Sequence, residues 1–178
     1  MILETPRLIL RVPTDADRPG LHAIWADPQV MADLGPVKDA AASDVTLAKH
    51  DGYRHEGLGF WAVVHKADGA VIGFCGLKRG EGHTPIAGEV EAGWTLGTPW
   101  WGQGFAYEAM EASLAWAWAN TRADRIFAIT SARNAKSRRL MDRLGMIHLP
   151  ELDYESATYV PGDPLRPSVA YVIERPVA

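Results

Sequence analysis

The stretch Glu91-Ala-Gly-Trp-Thr-Leu-Gly-Thr-Pro-Trp-Trp-Gly-Gln-Gly-Phe-Ala106 decides the fold. Its beginning alternates in residue type as a β-strand does, and from Gly104 onward apolar residues recur every four positions, as in an α-helix. A second apolar run follows at residues 125–130. A strand, a long helix and a second strand in this order form a crossover whose two strands are parallel. The glycine-rich turn is therefore predicted at the carboxyl end of a strand, where open α/β sheets bind their ligands.

Outside this crossover the chain has the pattern of an antiparallel sheet with further helices. Asp68-Gly69 stands between two apolar runs, which is a strong signal for a β-hairpin. The pattern predicts strands at 8–12, 60–64, 70–74 and 168–173, and helices that include 20–25, 43–53 and 134–144, with Gly145 as a left-handed stop. We expect a mixed α/β fold with a central, mostly antiparallel twisted sheet, one parallel β-α-β crossover and flanking helices.

The composition excludes several classes of protein. The 178 residues are 47% hydrophobic and 22% charged, which excludes intrinsic disorder and fits a single domain over residues 1–178. The net charge of −4 provides no basic surface for nucleic acid, and no apolar stretch reaches the length of a membrane span. Cys75 has no partner for an internal disulfide, and the six histidines lack metal-site spacing. We expect a cytoplasmic protein without a metal that binds neither nucleic acid nor membranes.

The turn between strand and helix has the residue types of a phosphate site. Gly102 and Gly104 permit positive φ and a close approach of the ligand, and the first N–H groups of the following helix lack partners within the helix. The dinucleotide-binding pattern fails because Tyr107 occupies the place of its third small residue, and the Gly-Lys-Ser/Thr of a Walker loop does not occur. From the residues alone, a tight turn that only serves packing is an equally good interpretation.

Together, these features resemble the GNAT superfamily of acyl-CoA-dependent N-acetyltransferases. The resemblance spans nearly the whole chain and is greatest to the branch of the ribosomal-protein N-terminal acetyltransferases, where Trp-Gly-x-Gly-Phe/Tyr-Ala is the pyrophosphate-binding turn. The motifs that carry it are Thr-Pro-Arg-Leu-Ile-Leu-Arg at 5–11, Gly73-x-x-Gly76-Leu77, Glu91-x-Gly-Trp94, Trp-Gly-Gln-Gly-Phe-Ala at 101–106, Asn134-x-x-Ser137 and Leu144-Gly145-Met146. The wider superfamily has Gln or Arg at the position of Trp101, so this chain lacks one side-chain contact and keeps the backbone cradle.

The resemblance implies an enzyme that moves an acetyl group from acetyl-CoA to a primary amine by direct attack in a ternary complex. The acceptor is then a small-molecule amine or a protein N-terminus, surrounded by the loops at 35–59 and 149–167. A backbone N–H of 94–96 is expected to face the thioester oxygen, with the pantetheine arm along this strand edge. The residues that the resemblance places around coenzyme A are Trp94, Thr95, Leu96, Trp101, Gly102, Gln103, Gly104, Phe105, Ala106, Asn134 and Ser137.

Two side chains are expected to move protons in such a reaction. Many relatives use a tyrosine as the general acid, but Met141 stands at that position and cannot donate a proton, so Ser137 is the candidate. Its alternative role is a hydrogen bond to the helix backbone. Glu91 is the candidate general base, and its alternative role is that of an exposed strand charge. The runners-up for the base come from the segment before the last strand: Asp153, Tyr154, Glu155 and Tyr159.

Further alternatives stay open at this level. A member of the same fold without the tyrosine can bind coenzyme A as a sensor without catalysis, and a generic glycine turn can bind another nucleotide. One basic cluster either meets the 3′-phosphate of coenzyme A or is a solvated helix face; it comprises Arg133, Lys136, Arg138 and Arg139. The protein is expected to be a monomer or a homodimer.

Overall fold

The computed structural model describes residues 2–176. The strands are β1 (Ile2–Glu4), β2 (Leu8–Arg11), β3 (Gly59–His65), β4 (Val71–Arg79), β5 (Val90–Leu96), β6 (Arg125–Ser131), β7 (Ile147–His148), β8 (Tyr154–Glu155) and β9 (Pro167–Glu174). The helices are α1 (Arg18–Ala26), α2 (Pro28–Met31), α3 (Ala40–Asp51), α4 (Phe105–Asn120) and α5 (Ala135–Arg143). Within 2–176, no helix combines the length and apolar character needed to cross a bilayer.

The strands form one sheet in the order β1-β2-β3-β4-β5-β6-β9-β7, and β8 also pairs with β9. Across the described residues every strand pair is antiparallel except β5 and β6, which run parallel with Glu91 opposite Phe127. Helix α4 connects these two strands, as the crossover requires. The prediction of a mixed fold with a mostly antiparallel sheet, one parallel pair and flanking helices is confirmed.

The hairpin of β3 and β4 lies near the middle of this sheet. Gly69 in its turn has φ +71°, a left-handed conformation that glycine adopts without strain. The register places Trp61 opposite Cys75 and shifts between Val63 and Val64. The Asp-Gly signal therefore identified the turn correctly, whereas the register shift has no local signal in the sequence.

Helices cover both faces of the sheet because the strands alternate apolar residues between the two faces. On one face Trp61, which is 1% exposed, meets Trp116 of α4 edge to face at a centroid distance of 5.3 Å. On the other face Trp25 of α1 meets Phe74 of β4 in the same geometry, also at 5.3 Å. Large rings in this arrangement stabilise a core beyond the area that they bury. The sheet thus holds the end of β5 and the start of α4 in a fixed relation.

Several short elements differ from the prediction. Strands β1, β7 and β8 have two or three residues, too few to show alternation. Helix α2 was not predicted; it begins at Pro28 because Asp27 accepts a hydrogen bond from the Gln29 N–H at 2.8 Å and Pro28 occupies the first helical position. Helix α3 starts at Ala40, three residues before the predicted start, because Asp39 caps it.

Candidate active site

The glycine turn joins the end of β5 to the start of α4. Gly102 and Gly104 have φ values of +73° and +81°, where a residue with a side chain would be strained. Gly104 is the N-cap of α4 and has no side chain to cap the helix, so the first N–H groups of α4 face outward. Trp101 Nε1 donates to the Leu96 carbonyl at 2.8 Å and ties the turn to β5. Such a helix start favours an anion.

A cavity of about 410 Å³, here called the turn cavity, lies in front of this turn. Its walls come from α2 and the residues after it, the end of β5, the glycine turn, the start of α4 and one side of α5. Strands β5 and β6 pair at Glu91 and Phe127. The residues near the end of β5, 94–96, line the cavity. All predicted cofactor-binding residues except Gln103 belong to its wall: Trp94, Thr95, Leu96, Trp101, Gly102, Gly104, Phe105, Ala106, Asn134 and Ser137.

Gln103 does not belong to the wall of the turn cavity. Its side-chain Nε2 donates to the Pro99 carbonyl at 2.8 Å, and its own carbonyl accepts a hydrogen bond from Arg7 Nη1 at 2.9 Å. The side chain therefore braces the turn from behind. What Gln103 can offer a ligand is its backbone N–H.

Behind the turn, the motif at 5–11 contacts the first turn of α4, a contact that the sequence analysis missed. Arg7 Nε lies 2.6 Å from Glu108 Oε2, and the Arg7 N–H and Thr5 Oγ1 donate to Glu108 Oε1 at 2.8 and 2.5 Å. The Arg7 guanidinium also stacks over the Phe105 ring at 4.3 Å. Burial would raise the pKa of Glu108, but these hydrogen bonds outweigh it and lower the pKa. The acidic residue in the first helical turn was the signal available in the sequence.

Cations flank the turn cavity on the side of α5. Lys136, Arg139 and Arg143 belong to its wall, and Lys136 Nζ lies 3.8 Å from the centre of the Trp101 ring. Arg133 and Arg138 of the predicted basic cluster are engaged elsewhere. Arg133 Nε pairs with Asp33 at 2.8 Å, and Arg138 donates to the Tyr171 hydroxyl at 3.2 Å and to the Ala132 carbonyl. The remaining cations beside a helix start suit phosphate groups.

Asn134 and Ser137 meet at the start of α5. Asn134 is 7% exposed; its Oδ1 accepts from the Ser137 N–H at 3.1 Å, and its Nδ2 donates to Thr130 Oγ1 at 3.0 Å. Ser137 is half-buried in the wall of the turn cavity, and its Oγ makes no hydrogen bond to the backbone of residues 2–176. Met141 is 1% exposed and packs in the core with Met146. Ser137, and not Met141, therefore places a side chain in this part of the cavity wall, and that side chain carries a hydroxyl group.

Glu91 is buried rather than exposed, so its alternative role as a surface charge is wrong. The residue is 6% exposed, and its Oε2 lies 2.5 Å from Lys78 Nζ, directly across the β4–β5 register. Burial raises the pKa of Glu91, and Lys78 opposes this shift. Glu91 belongs to the wall of neither cavity, but its charge contributes, after burial, to the raised pKa of Tyr154.

A second cavity of about 220 Å³, here called the side cavity, shares Asp33 and Leu34 with the turn cavity. Tyr154 and Tyr159 line it, as expected for the segment before the last strand. Asp153 and Glu155 do not line it and instead pair with His148 and Arg166, at 2.9 and 3.0 Å. The sequence analysis missed the contribution of the β4–β5 loop, whose lining residues are Glu81, His83 and Thr84.

These features define a class of protein. An uncapped helix start beside cations suits a diphosphate ligand, and a separate cavity that shares a wall with it suits a second molecule, as in a two-substrate transferase. The family model described as an acetyltransferase (GNAT) domain matches residues 7–147. The chain therefore belongs to the GNAT acetyltransferase family and is an acetyltransferase. The acetyl donor of this family is acetyl-CoA. In residues 2–176 no three His, Cys, Asp or Glu side chains form a group able to hold a metal ion.

Similar proteins agree with this assignment. The chain is 30% identical over 159 residues to the uncharacterized N-acetyltransferase p20 of Bacillus licheniformis, which covers 87% of this chain and 88% of that relative. The crystal structure of an acetyltransferase from Agrobacterium tumefaciens strain C58 matches with a TM-score of 0.78 and 26% identity over 98% of this chain and 94% of that one. RimL, a ribosomal L7/L12 alpha-N-protein acetyltransferase solved with coenzyme A, has a TM-score of 0.79 at 16% identity over 98% of both chains, which shows the shared fold.

Proposed function

We propose that this protein, with residues 1–178 acting as one catalytic domain, transfers an acetyl group from acetyl-CoA to a primary amine by direct attack while both substrates are bound. The observation that carries the proposal is the turn cavity, in which the uncapped start of α4 faces the cations of α5. Acetyl-CoA supplies the acyl group as a thioester. The residues around it bind the diphosphate, orient the thioester and move the protons.

The diphosphate is proposed to lie on the N–H groups from Gln103 to Ala106. Support comes from the left-handed glycines, which turn the backbone so that successive N–H groups converge, and from the helix dipole. Lys136, Arg139 and Arg143 are positioned to neutralise the phosphate charges. These residues fit an anionic ligand because the wall carries three cations. Its carboxylate, Asp33, is already paired to Arg133, which offsets the negative charge.

The end of β5 is proposed to orient the pantetheine arm and the thioester. Trp94, Thr95 and Leu96 line the turn cavity on the side where β5 and β6 diverge, so their backbone groups can pair with amides of the arm. One N–H in this segment would donate to the acyl oxygen as negative charge develops there. A donor in that role contributes about 3 kcal/mol in other enzymes.

Ser137 is proposed as the general acid that protonates the departing thiolate. Its place in the wall of the turn cavity supports this role, as does the hydrogen bond to Asn134, which fixes the backbone at Ser137. Its hydroxyl is not engaged by a backbone carbonyl within residues 2–176, so it is available to the ligand. Met141, buried in the core, cannot take this role.

Glu91 is proposed as the general base that receives the proton of the amine through water. Its raised pKa makes it a stronger base than an exposed glutamate. After burial, the charge of Glu91 contributes to the raised pKa of Tyr154, which lines the side cavity, and this supports a base near an acceptor there. The burial of Glu91 outside both walls is the reason that water is needed between it and the amine.

The burial of the one cysteine supports direct attack. Cys75 is fully buried in β4, and burial raises its pKa to about 12, so it is protonated at neutral pH. The amine itself then has to attack the thioester. The acceptor is proposed to be a small-molecule amine or a protein N-terminus, the latter in line with the ribosomal-protein acetyltransferase named above.

Calorimetric titration with coenzyme A tests the proposal, with ATP and NAD as controls. We expect saturable heat for coenzyme A and none for the other two nucleotides, because neither carries a pantetheine arm for the end of β5. Release of free thiol from acetyl-CoA in the presence of amines tests the transfer. Heat for coenzyme A without thiol release would point to the sensor alternative, and no heat would contradict the proposal.

A further inference from the structure

The side cavity has a wall rich in hydroxyl groups. Its volume of about 220 Å³ is smaller than the pockets that enclose drug-sized ligands, roughly 300–1,000 Å³. The hydroxyl-bearing residues in the wall include Thr84, Ser131, Tyr154, Ser156 and Thr158. Hydroxyl groups both donate and accept hydrogen bonds. Such a wall suits a small ligand that carries polar groups of its own.

Ser131 provides a second observation that points to a ligand. The residue ends β6, is 8% exposed and belongs to the wall of the side cavity. Its Oγ has no hydrogen-bond partner among residues 2–176. A buried hydroxyl without a partner is unfavourable, so a ligand hydroxyl that bonds to it gains more than it would at an exposed serine.

The two carboxylates of the wall are paired already. Glu81 Oε1 lies 2.5 Å from Lys49 Nζ, and Asp33 Oδ1 lies 2.8 Å from Arg133 Nε. Among the residues that the structure describes, neither Lys nor Arg belongs to the wall of the side cavity. Because His83 is the only basic side chain in that wall among the described residues, an acceptor with a free carboxylate would be desolvated there without a Lys or Arg to pair with it.

One hydrogen bond joins two parts of the wall of the side cavity. The Tyr159 hydroxyl donates to the Leu34 carbonyl at 3.0 Å, and both residues belong to the wall. This bond joins the loop after α2 to the segment between β8 and β9. Gly35 allows the approach, since a Cβ there would lie 3.2 Å from the Tyr159 hydroxyl. A polypeptide acceptor needs a groove that its chain can follow, and the bond between these loops narrows that path.

We propose that the side cavity takes a small primary amine that carries hydroxyl groups but no carboxylate, of the amino-alcohol or amino-sugar class, and that it disfavours a polypeptide N-terminus. The inference rests on the proposed function, because it assigns the acceptor of the same transfer. It narrows that acceptor from any primary amine to one chemical class.

A matched panel of acceptors tests the class. The four compounds are 2-amino-1,3-propanediol, serine, isopropylamine and a short peptide that begins with serine; the first two differ by a carboxylate and the third lacks hydroxyls. Glucosamine represents the larger amino sugars. With kcat/KM expressed per unprotonated amine, we expect the diol or glucosamine to exceed serine, isopropylamine and the peptide at least tenfold. A peptide or isopropylamine of equal efficiency would overturn the inference, and so would the failure of both hydroxylated amines.

A pair of serine variants tests the site itself. Ser131→Ala should raise KM for the preferred hydroxylated amine about three- to tenfold, with KM for acetyl-CoA unchanged. Ser43→Ala is the control, since Ser43 is fully buried in α3 with an unpartnered Oγ and lines neither cavity. An unchanged amine KM in Ser131→Ala would contradict the inference. Coenzyme A calorimetry separates the two levels: a protein that binds coenzyme A with the wrong acceptor preference refutes only the acceptor class.

Discussion

At the scale of single residues, the start of α5 shows how one side chain organises another. Asn134 uses both ends of its amide, one to cap α5 at the Ser137 N–H and one to hold Thr130. The cap leaves the Ser137 hydroxyl free to face the turn cavity. A structural contact and a proposed catalytic position are thus combined in two residues one helical turn apart.

Replacing Ser137 by alanine tests its role as the acid. We expect Ser137→Ala to lower kcat about 10²–10⁴-fold with little change in KM for acetyl-CoA, because the hydroxyl acts only when the thiolate departs. The cap survives because it uses the backbone N–H. Steady-state kinetics with acetyl-CoA and an accepted amine measure the effect. Unchanged kcat in a folded variant would remove Ser137 from the mechanism.

Glu91 has its own test in the pH dependence. Because burial raises its pKa, the carboxylate is charged only above that raised value, so kcat/KM expressed per unprotonated amine should rise with pH through it. In Glu91→Gln this ascending limb should disappear, while the amide oxygen still accepts from Lys78. Glu89→Gln is the control, since Glu89 forms a half-exposed pair with Arg125 at 2.7 Å. If Glu91→Gln keeps the ascending limb, Glu91 is not the base.

At the scale of elements, the 5–11 motif contacts the chain on both sides of Gly104, in the turn and in the first turn of α4. Arg7 reaches the Gln103 carbonyl in the turn and Glu108 in the first turn of the helix, so one side chain spans the glycine cap. Gly104 lies between these two contacts, and a Cβ at its position would lie 3.5 Å from Arg7 Nη2. The N-terminal segment therefore positions the backbone that is proposed to hold the diphosphate.

Weakening this contact should loosen donor binding without removing catalysis. Glu108→Gln keeps the side-chain shape but loses the charge that pairs with Arg7, and we expect KM for acetyl-CoA to rise about three- to tenfold with a smaller change in kcat. Glu4→Gln, which breaks the exposed pair with Lys66 at 3.0 Å, is the matched control and should change neither constant. Equal constants for Glu108→Gln and the wild type would show that the turn holds its shape without the pair.

At the scale of the whole molecule, the packing of α3 on the sheet buries a histidine, His50, whose pKa is lowered. His50 is 7% exposed, its ring lies 4.0 Å from that of Phe60, and burial together with neighbouring cations lowers its pKa to about 3. The cations that face it are Lys78, Lys49, Arg54 and Lys38. The folded state therefore holds this histidine neutral at pH values where the unfolded chain protonates it.

The stability of the fold should fall on acidification for this reason. Below pH 6.5 the unfolded state binds a proton that the folded state refuses, so the free energy of unfolding decreases as pH falls from about 6.5 towards 3. Between pH 7 and 5 His50 alone accounts for about 2 kcal/mol. Between pH 7 and 5, the free energy of unfolding of His50→Phe should therefore fall by about 2 kcal/mol less than that of the wild type, as measured by urea unfolding. His55→Gln, at an exposed histidine, should behave as the wild type does; an identical loss in His50→Phe would contradict the assignment.

Local sequence patterns predicted much of the fold and, within the site, the glycine turn. The Asp68-Gly69 hairpin and the crossover of β5, α4 and β6 were correct because alternation, helical period and turn conformation each depend on neighbouring residues. The same holds for Gly102 and Gly104, whose positive φ is a local property. The proton roles of Ser137 and Glu91 came from the resemblance to a family and stay predictions.

The sequence by itself determined the order of the longer strands and helices, the parallel crossover and the glycine turn before α4, since each follows from periodicity and turn residues along consecutive stretches of the chain. Only the tertiary structure decided that Glu91 is buried against Lys78, that Arg7 pairs with Glu108 and that Ser131 lines a side cavity. These contacts join residues that lie far apart in the chain. No local period specifies which partners meet across the sheet, so burial, charge pairing and cavity walls emerge only when the elements pack.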